Sequence, residues 1–599
     1  MPVSPIEEET NVFSYTILSG GKEIPSTYEI MSMTITLDIT KIASAEITVR
    51  DGSAADQVFE VTDSDTFKPK AEIEIKLGYQ SQNDTIFKGE VTSESITVSE
   101  GSVSSLKITC KDKAVALDEK ADSDKYTKKK DSEIIEALIG KVSGLTADVT
   151  ATTLVNEEVV KQKRSDWDFI KMLADKNGMV VTTEGGKVVV APPSLSGTPE
   201  LQIQFGYDMI EFDSSIDATK QYSGVICSSF DPATQKMITA TAKEPTLNKQ
   251  GDLSNSDLSG VLSAGNLELT KSAPFPQDKL QAWADSTLLR LRLSRFTGSV
   301  TFHGSAKAKV NSLIRLKGLS ARFNGDSYIT GVTHNISGGG WTTVANIGMS
   351  PESHAEKNNL TAPGEGNSGI SPRVHGLQTG VVKKVYDDPD NEFRVQVQMP
   401  ILGDDSDPVW ARLSTFYAGN TFGAYFMPEV EDEVILGFMD DDPTYPIILG
   451  SVFSSKIPAP ETPDEKNTIK TLITQSKLQL KFDDENKVIT VLTPGGNTMV
   501  FSDKDKGITV TDQNSNKIET NDKGITITDT SGNKVEMVSD GITLDSKKNI
   551  TLNATNNVNI KGKSIEIDGS QSTTVKGSSS CEVSSSSKVS VKGSMVMIN

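Results

Sequence analysis

Cysteine, histidine and positive charge are all scarce in this chain. Three cysteines, Cys110, Cys227 and Cys581, stand far apart in 599 residues and form no metal-binding pattern. Cys110 alternates with Leu106 and Ile108, so it is expected as a small buried hydrophobe in a chain made in a reducing cytoplasm. The four histidines, His303, His334, His354 and His375, lack the His-Glu-x-x-His spacing of a zinc hydrolase, so no metal or cofactor is expected. His334 is expected as a hydrogen-bonding residue in a strand. With 60 basic against 81 acidic residues the net charge is −21, which disfavours binding to nucleic acid or an anionic membrane. No apolar run reaches the roughly 18 residues of a bilayer span, and Met1–Thr10 is acidic with no apolar signal core, so no signal peptide is expected. Beyond Phe501 there is no aromatic residue.

What is present is periodicity. Gly507, Gly524 and Gly541 lie 17 residues apart, each followed by a short aliphatic–threonine strand, and Asn516-Lys517-Ile518 recurs as Asn533-Lys534-Val535. Further on the period shortens. Ile567, Val575, Val583 and Val591 are spaced by 8, with Gly569, Gly577, Ser585 and Gly593 two places after them. A second slot, two places before, holds Ile565, Thr573, Cys581 and Val589. Alternation at period two gives a strand with one apolar face, but one such chain has too thin a face to offset the entropy of ordering it. Three chains wound about one axis would share that face. Ile565, Ile567, Val575, Cys581, Val583, Val589 and Val591 are then expected in a trimer core, with the small residues at the corners. The Ser-rich run Ser578–Ser587 also permits a disordered tail, but disorder would not require a glycine and an aliphatic in phase.

Upstream, residues 11 to about 120 read as short strands suited to a small barrel or sandwich. A helix is expected with Asp131 as its cap, closed by Gly140. A second is expected from Ser165, with Asp168 as capping-box partner and Gly178 at its end. A hairpin turns at Gly185-Gly186. A third helix spans about Gln277 to Ser294, with Arg290, Arg292 and Arg295 placed to suit its dipole. Strands return from Val300 to about Ile347. Stretches rich in Pro, Gly and polar residues mark linkers at 351–375 and 456–470, and the 376–455 segment between them holds about five strands, one of them Tyr425–Met427, as an OB-type barrel does.

That barrel carries the specific signal. Trp410, Gly423, Tyr425, Phe426, Pro428, Glu429, Asp432, Glu433 and Gly437 fall in a run that resembles the OB domain of the VgrG and phage tail-spike family. Ser165–Gly178 is similar to the Trp-containing helix of the phage baseplate-hub domain, and Tyr328–Thr343 to its closing hairpin. The resemblance implies a mainly β chain: a hub of two small β-barrels with a few helices (1–350), an OB barrel, and a C-terminal intertwined trimeric β-helix or prism (471–599). It implies a homotrimeric central spike of a contractile machine, with inner tube and baseplate proteins at the hub. It also implies a PAAR-type tip protein on Met595, Val596, Met597 and Ile598, and a target-cell envelope met on firing. An extracellular contractile injection system, a type VI secretion system and a tailed phage all use such spikes; the short hub and lack of extra domains favour the first.

Catalysis finds little support. The acidic cluster Glu429, Glu431, Asp432, Glu433 and Asp440–Asp442 reads as a solvated barrel rim rather than paired general acid and base. Gly338–Gly340 lacks the Lys and Ser/Thr of a phosphate loop, and the linker before Asn467 is too short for a lysozyme domain. The alternative, a receptor-binding or polysaccharide-cleaving β-helix tailspike, would need aromatics and paired carboxylates along the rod. The expectation is therefore a non-enzymatic spike.

Overall fold

The computed structural model describes residues 2–6, 12–99, 103–262, 265–358, 374, 376–403 and 406–598. His375 and most of the 351–375 linker lie outside the described residues. The chain divides into two compact units, Met1–Ile457 and Pro458–Asn599.

Alternating aliphatics build the first unit. Lys41–Arg50 buries Ala43, Ala45, Ile47 and Val49 on one face. It pairs antiparallel with Ile30–Asp38 and with Ser105–Lys111, whose Leu106, Ile108 and Cys110 join the same core. A second core gathers Leu201, Ile203, Val300, Phe302, Ile314, Leu316, Val332 and Ala345. One long strand, Gly325–Ser337, serves both, pairing with Ile30–Asp38 on one side and Gly340–Ile347 on the other. These two β regions of the first unit therefore share one 13-stranded sheet. The turn joining Ser337 to Gly340 holds Gly338 at φ +56° and Gly339 at +80°, which explains the triple glycine as backbone geometry. Burial pushes the thiols of Cys110 and Cys227 up to about 12, as suits inert core cysteines.

Five α-helices appear among the described residues: α1 (Asp131–Gly140), α2 (Asp166–Lys176), α3 (Asn255–Leu262), α4 (Gln277–Leu293) and α5 (His354–Lys357). α1 and α2 bury Ile134, Ile135, Leu138, Trp167, Ile170 and Leu173 against the hairpin Val180–Glu184/Lys187–Ala191. Two expectations change here, each because a tertiary partner outbids a local one. Lys130, not Asp131, takes the cap position of α1. The Asp131 carboxylate is buried and accepts from Lys176 Nζ at 2.8 Å, Asn156 Nδ2 at 3.0 Å and Asn177 Nδ2 at 2.7 Å. Ser165 Oγ does cap α2, accepting from Asp168 N at 3.1 Å, but the Asp168 carboxylate turns to His354 Nε2 at 2.7 Å instead of closing a box. Arg290 and Arg292 do stand in the last turn of α4, where they suit its dipole, and the arginines there are tertiary anchors as well. Arg292 Nε donates to Glu244 Oε1 at 2.8 Å, and Arg295 Nη1 to Asn255 Oδ1 at 2.8 Å.

Gln378–Lys384, Val395–Gln398, Val409–Leu413, Pro446–Ser451 and Glu433–Phe438 close a five-stranded barrel around Val382, Val395, Val397, Val409, Ala411, Val434, Leu436 and Ile448. Val160, from the hub strand Val155–Ser165, lies in this same core. Tyr425–Met427, expected as a strand, belongs to none. Tyr425 and Phe426 are adjacent and both exposed, so no period-two face exists there, and a short hairpin, Ala418–Gly419/Phe422–Gly423, precedes them.

In the second unit nine five-residue strands run from Ile469 to Asp545, each antiparallel to its sequence neighbour. The 17-residue repeat is thus one hairpin of two strands, the second being Lys517–Asn521 or Lys534–Val538. Up to Asp545 the chain satisfies its own ladder. Beyond it, no strand is found among the described residues.

Candidate functional site

The nine-strand meander has two unlike faces. Its registers stack Leu472, Leu480, Val491, Met499, Val510, Ile518, Ile527, Val535 and Leu544 in one column, rung over rung. A second column holds Phe482, Ile489, Phe501, Ile508, Ile525, Met537 and Ile542, interrupted by Thr520. The opposite face is more polar: its central column runs Lys481, Thr490, Val500, Thr509, Glu519, Thr526, Glu536 and Thr543, with Val488 and Leu492 beside it. Most of the apolar columns are solvent-exposed in the single chain: Leu472, Phe482, Ile489, Val491, Phe501, Ile508, Val510, Ile518, Ile525, Ile527, Ile542 and Leu544 all are. A continuous apolar face of this length marks an interaction surface. Covering each aliphatic side chain, already partly buried in the single chain, would contribute on the order of 1 kcal/mol.

Asparagines hold the turns on one edge. Asp512 accepts from Asn516 N and Nδ2, each at 2.8 Å, closing one turn, while Asn516 Oδ1 accepts from Thr530 N of the next at 3.1 Å. Asp529 and Asn533 repeat this, and Asn533 Oδ1 accepts from Lys547 N at 2.8 Å. The recurrence of Asn-Lys-aliphatic is visible in the sequence, but its role, bonding each hairpin to the next, is not.

Further on, Ile565, Ile567, Val575, Cys581, Val583, Val589 and Val591 are exposed in the single chain, as are Met595, Val596, Met597 and Ile598. Cys581 therefore differs from Cys110 and Cys227, which one chain buries by itself. The small residues sit at tight corners: a Cβ on Gly577 would come 2.0 Å from Ser580 O, and one on Gly569 would come 2.7 Å from Ser572 O.

The barrel signature splits by role. Pro428 is buried, Asp432 Oδ2 accepts from Glu429 N at 2.9 Å to shape the turn, and Glu433 begins the strand facing Val381. Trp410 lies 6.0 Å from the Arg394 guanidinium, and Gly437 packs beside Leu449. Gly423 sits at φ +144°, and Tyr425 and Phe426 project outward.

The acidic cluster is only partly a solvated rim. Glu429 and Glu431 are exposed, the latter paired with Lys383 at 2.8 Å. Asp442 is buried, and Asp440 Oδ2 accepts from Ala273 N of the hub at 2.7 Å. Here the barrel segment Met439–Tyr445 meets α4: Lys279 Nζ stands 3.9 Å from the Phe275 ring centroid and donates to Tyr445 Oη at 3.2 Å. Burial pushes Lys271 and Lys279 below the usual lysine range, with Asp442 opposing the shift. Asp440 thus fastens the barrel to the segment that leads into α4. The carboxylates do not form a paired acid and base around a cleft.

His334 is fully buried in the sheet. Its Nδ1 lies 3.0 Å from Thr343 Oγ1 and accepts from Trp341 Nε1 at 3.3 Å, and burial lowers its pKa to about 3. No group of three or more His, Cys, Asp or Glu suited to a metal occurs among the described residues. Nor is any described helix long and apolar enough to cross a membrane.

Three family models match in chain order. Residues 9–338 match the Alg8 N-terminal domain, 378–453 the type VI secretion system/phage-baseplate injector OB domain, and 488–548 the phage baseplate V C-terminal trimerisation domain. Among curated proteins the chain is similar to the type VI secretion system spike protein VgrG4b of Pseudomonas aeruginosa, 34% identical over 96 residues, 15% of this chain and 12% of that protein. VgrG5 of the same species is 33% identical over 103 residues, 16% of this chain and 13% of that protein. The actin cross-linking toxin VgrG1 of Vibrio cholerae is 30% identical over 104 residues, 16% of this chain and 10% of that protein. The chain thus spans about an eighth of the length of the first two relatives. Among solved structures, the lidded Francisella PdpA-VgrG complex aligns with TM-score 0.51 at 13% identity over 84% of this chain and 81% of that one, a likeness of fold. With the first model covering more than half of its residues, the chain belongs to the Alg8 N-terminal domain family, and it joins that domain to an OB and a trimerisation domain of the type VI secretion and phage-baseplate kind.

Proposed function

We propose that this chain is the non-enzymatic, trimeric central spike of a contractile injection machine, assembled in the cytoplasm and driven outward on firing. The observation that carries the reading is the two-column apolar face of the meander, exposed in one chain and lying within the segment matched by a trimerisation domain. Three copies facing inward would cover it, and the octad positions Ile565, Ile567, Val575, Cys581, Val583, Val589 and Val591 would continue the same core. In this reading residues 1–350 form the hub that meets the inner tube and baseplate, 376–455 the barrel, and 471–599 the needle, with linkers at 351–375 and 456–470. The hub, in three copies, adapts a six-fold tube to a three-fold needle. Met595–Ile598 present an apolar triangular end for a PAAR-type tip, and sheath contraction supplies the work that drives the needle through the target envelope.

The test is mass and position. The full chain should run as a trimer by multi-angle light scattering, and electron microscopy of assembled particles should place it on the tube axis beneath a tip density. A monomer at micromolar concentration, or density off the axis, overturns the reading.

A further inference from the structure

Aromatic residues make up only 6% of the chain, yet five of them crowd into residues 416–426 of the barrel, all exposed. Phe416 is 88% and Tyr425 78% exposed, and Tyr417, Phe422 and Phe426 are more than half so. The short hairpin Ala418–Gly419/Phe422–Gly423, which holds Phe422 and is flanked by the other four, is braced by contacts of its own. The Phe422 ring lies across Gly419, where a Cβ would come within 2.4 Å of it, and the Tyr417 and Phe422 rings are 5.8 Å apart. Ala424 N donates to Tyr417 O at 2.9 Å, and Thr415 Oγ1 donates to Ala424 O at 3.1 Å. An apolar element held in shape by its own side chains loses little entropy on docking. Rigid, exposed aromatics are what anchor protein interfaces.

We propose that this hairpin docks on the barrel of the neighbouring copy and closes the three barrels into a ring. The inference rests on the three-copy reading above and adds a second contact to it. Its occupant follows from connectivity: the last barrel strand ends at Ser451 and the first needle strand starts at Ile469, with 17 residues between. Three needles sharing an axis therefore hold three barrels at high effective concentration. A three-fold ring is heterologous, so the hairpin must meet a different surface from itself. The barrel offers one in Leu377 and Leu449, both exposed. Exposed Glu429 and Glu431, close after the aromatics in sequence, disfavour an anionic lipid surface as the occupant.

The experiment places the photo-crosslinker p-benzoylphenylalanine at position 416 or 425 of the full chain. Irradiation should yield covalent dimers and trimers on denaturing gels, with the joined peptide inside residues 376–453 of another copy. In parallel, Phe416→Asp with Tyr425→Asp should lower the temperature at which the trimer dissociates in SDS. A trimer by light scattering whose crosslinks stay within one chain, or fall outside the barrel, overturns the ring contact and leaves the three-copy needle standing. A monomer by light scattering overturns both.

Discussion

A histidine sealed inside a sheet binds its proton weakly, and His334 shows the consequence for stability. Its pKa is lowered by burial to about 3 in the folded chain, against about 6.5 for a solvated imidazole. Between those values the unfolded chain binds more protons than the folded one, so stability is full above the upper value and falls as pH drops toward the lower. The hub's thermal midpoint should therefore decline on acidification through this window, and His334→Gln, which can still accept from Trp341, should flatten that limb. Parallel pH profiles for the two proteins would contradict the assignment. Asp131 poses the converse case. It is the buried partner of Lys176, and Asp131→Ala would strand that ammonium, at a cost of about 3–5 kcal/mol read from the hub transition in urea. Sequence patterning suggested a helix cap at Asp131 because Asp is a common cap. It could not show that Asn156, Lys176 and Asn177 converge on the carboxylate from three other positions in the chain.

At the scale of the element, the asparagine turns join hairpins that would otherwise be linked only by their strand ladders. Asn533→Ala removes acceptors for Lys547 N and Ser546 Oγ and a donor to Asp529. The expected cost is about 1 kcal/mol for each bond lost. Amide exchange at Lys547 should accelerate while that at Thr526, in the adjacent ladder, is unchanged; equal rates at Lys547 would show that the turn-to-turn bond is idle. The 17-residue period, the helix from Gln277 and the glycine hairpins were all legible from spacing, because each depends on residues close in sequence. The hairpin at Ala418–Gly423 was not. Its two-residue strands are too short to leave a period, and its aromatics read as a barrel strand when taken alone.

At the scale of the whole molecule, consecutive needle residues make opposite forecasts. Ile489 faces the apolar columns between Phe482 and Phe501, while Thr490 faces the polar side opposite Lys481. Ile489→Asp should convert the trimer to monomer, because three carboxylates would meet in one apolar core, whereas Thr490→Asp should leave it trimeric. Light scattering on the two variants decides it, and equal behaviour would mean that the columns are not the contact. Val575→Asp and Val591→Asp extend the test into the octads, with loss of SDS-resistant assembly expected for both.

The sequence by itself determined the periodic C-terminal hairpins, the strand-rich N-terminal region and the barrel signature, since repeat spacing and residue type are local properties that survive without coordinates. Only the tertiary structure decided that Gly325–Ser337 unites two cores in one sheet, that Asp440 and Lys279 fasten the barrel to the segment around α4, and that the apolar columns face solvent in a lone chain. The reason is physical. Alternation specifies that a strand has an apolar face, but which partner covers that face depends on contacts between segments hundreds of residues apart, and no period records those.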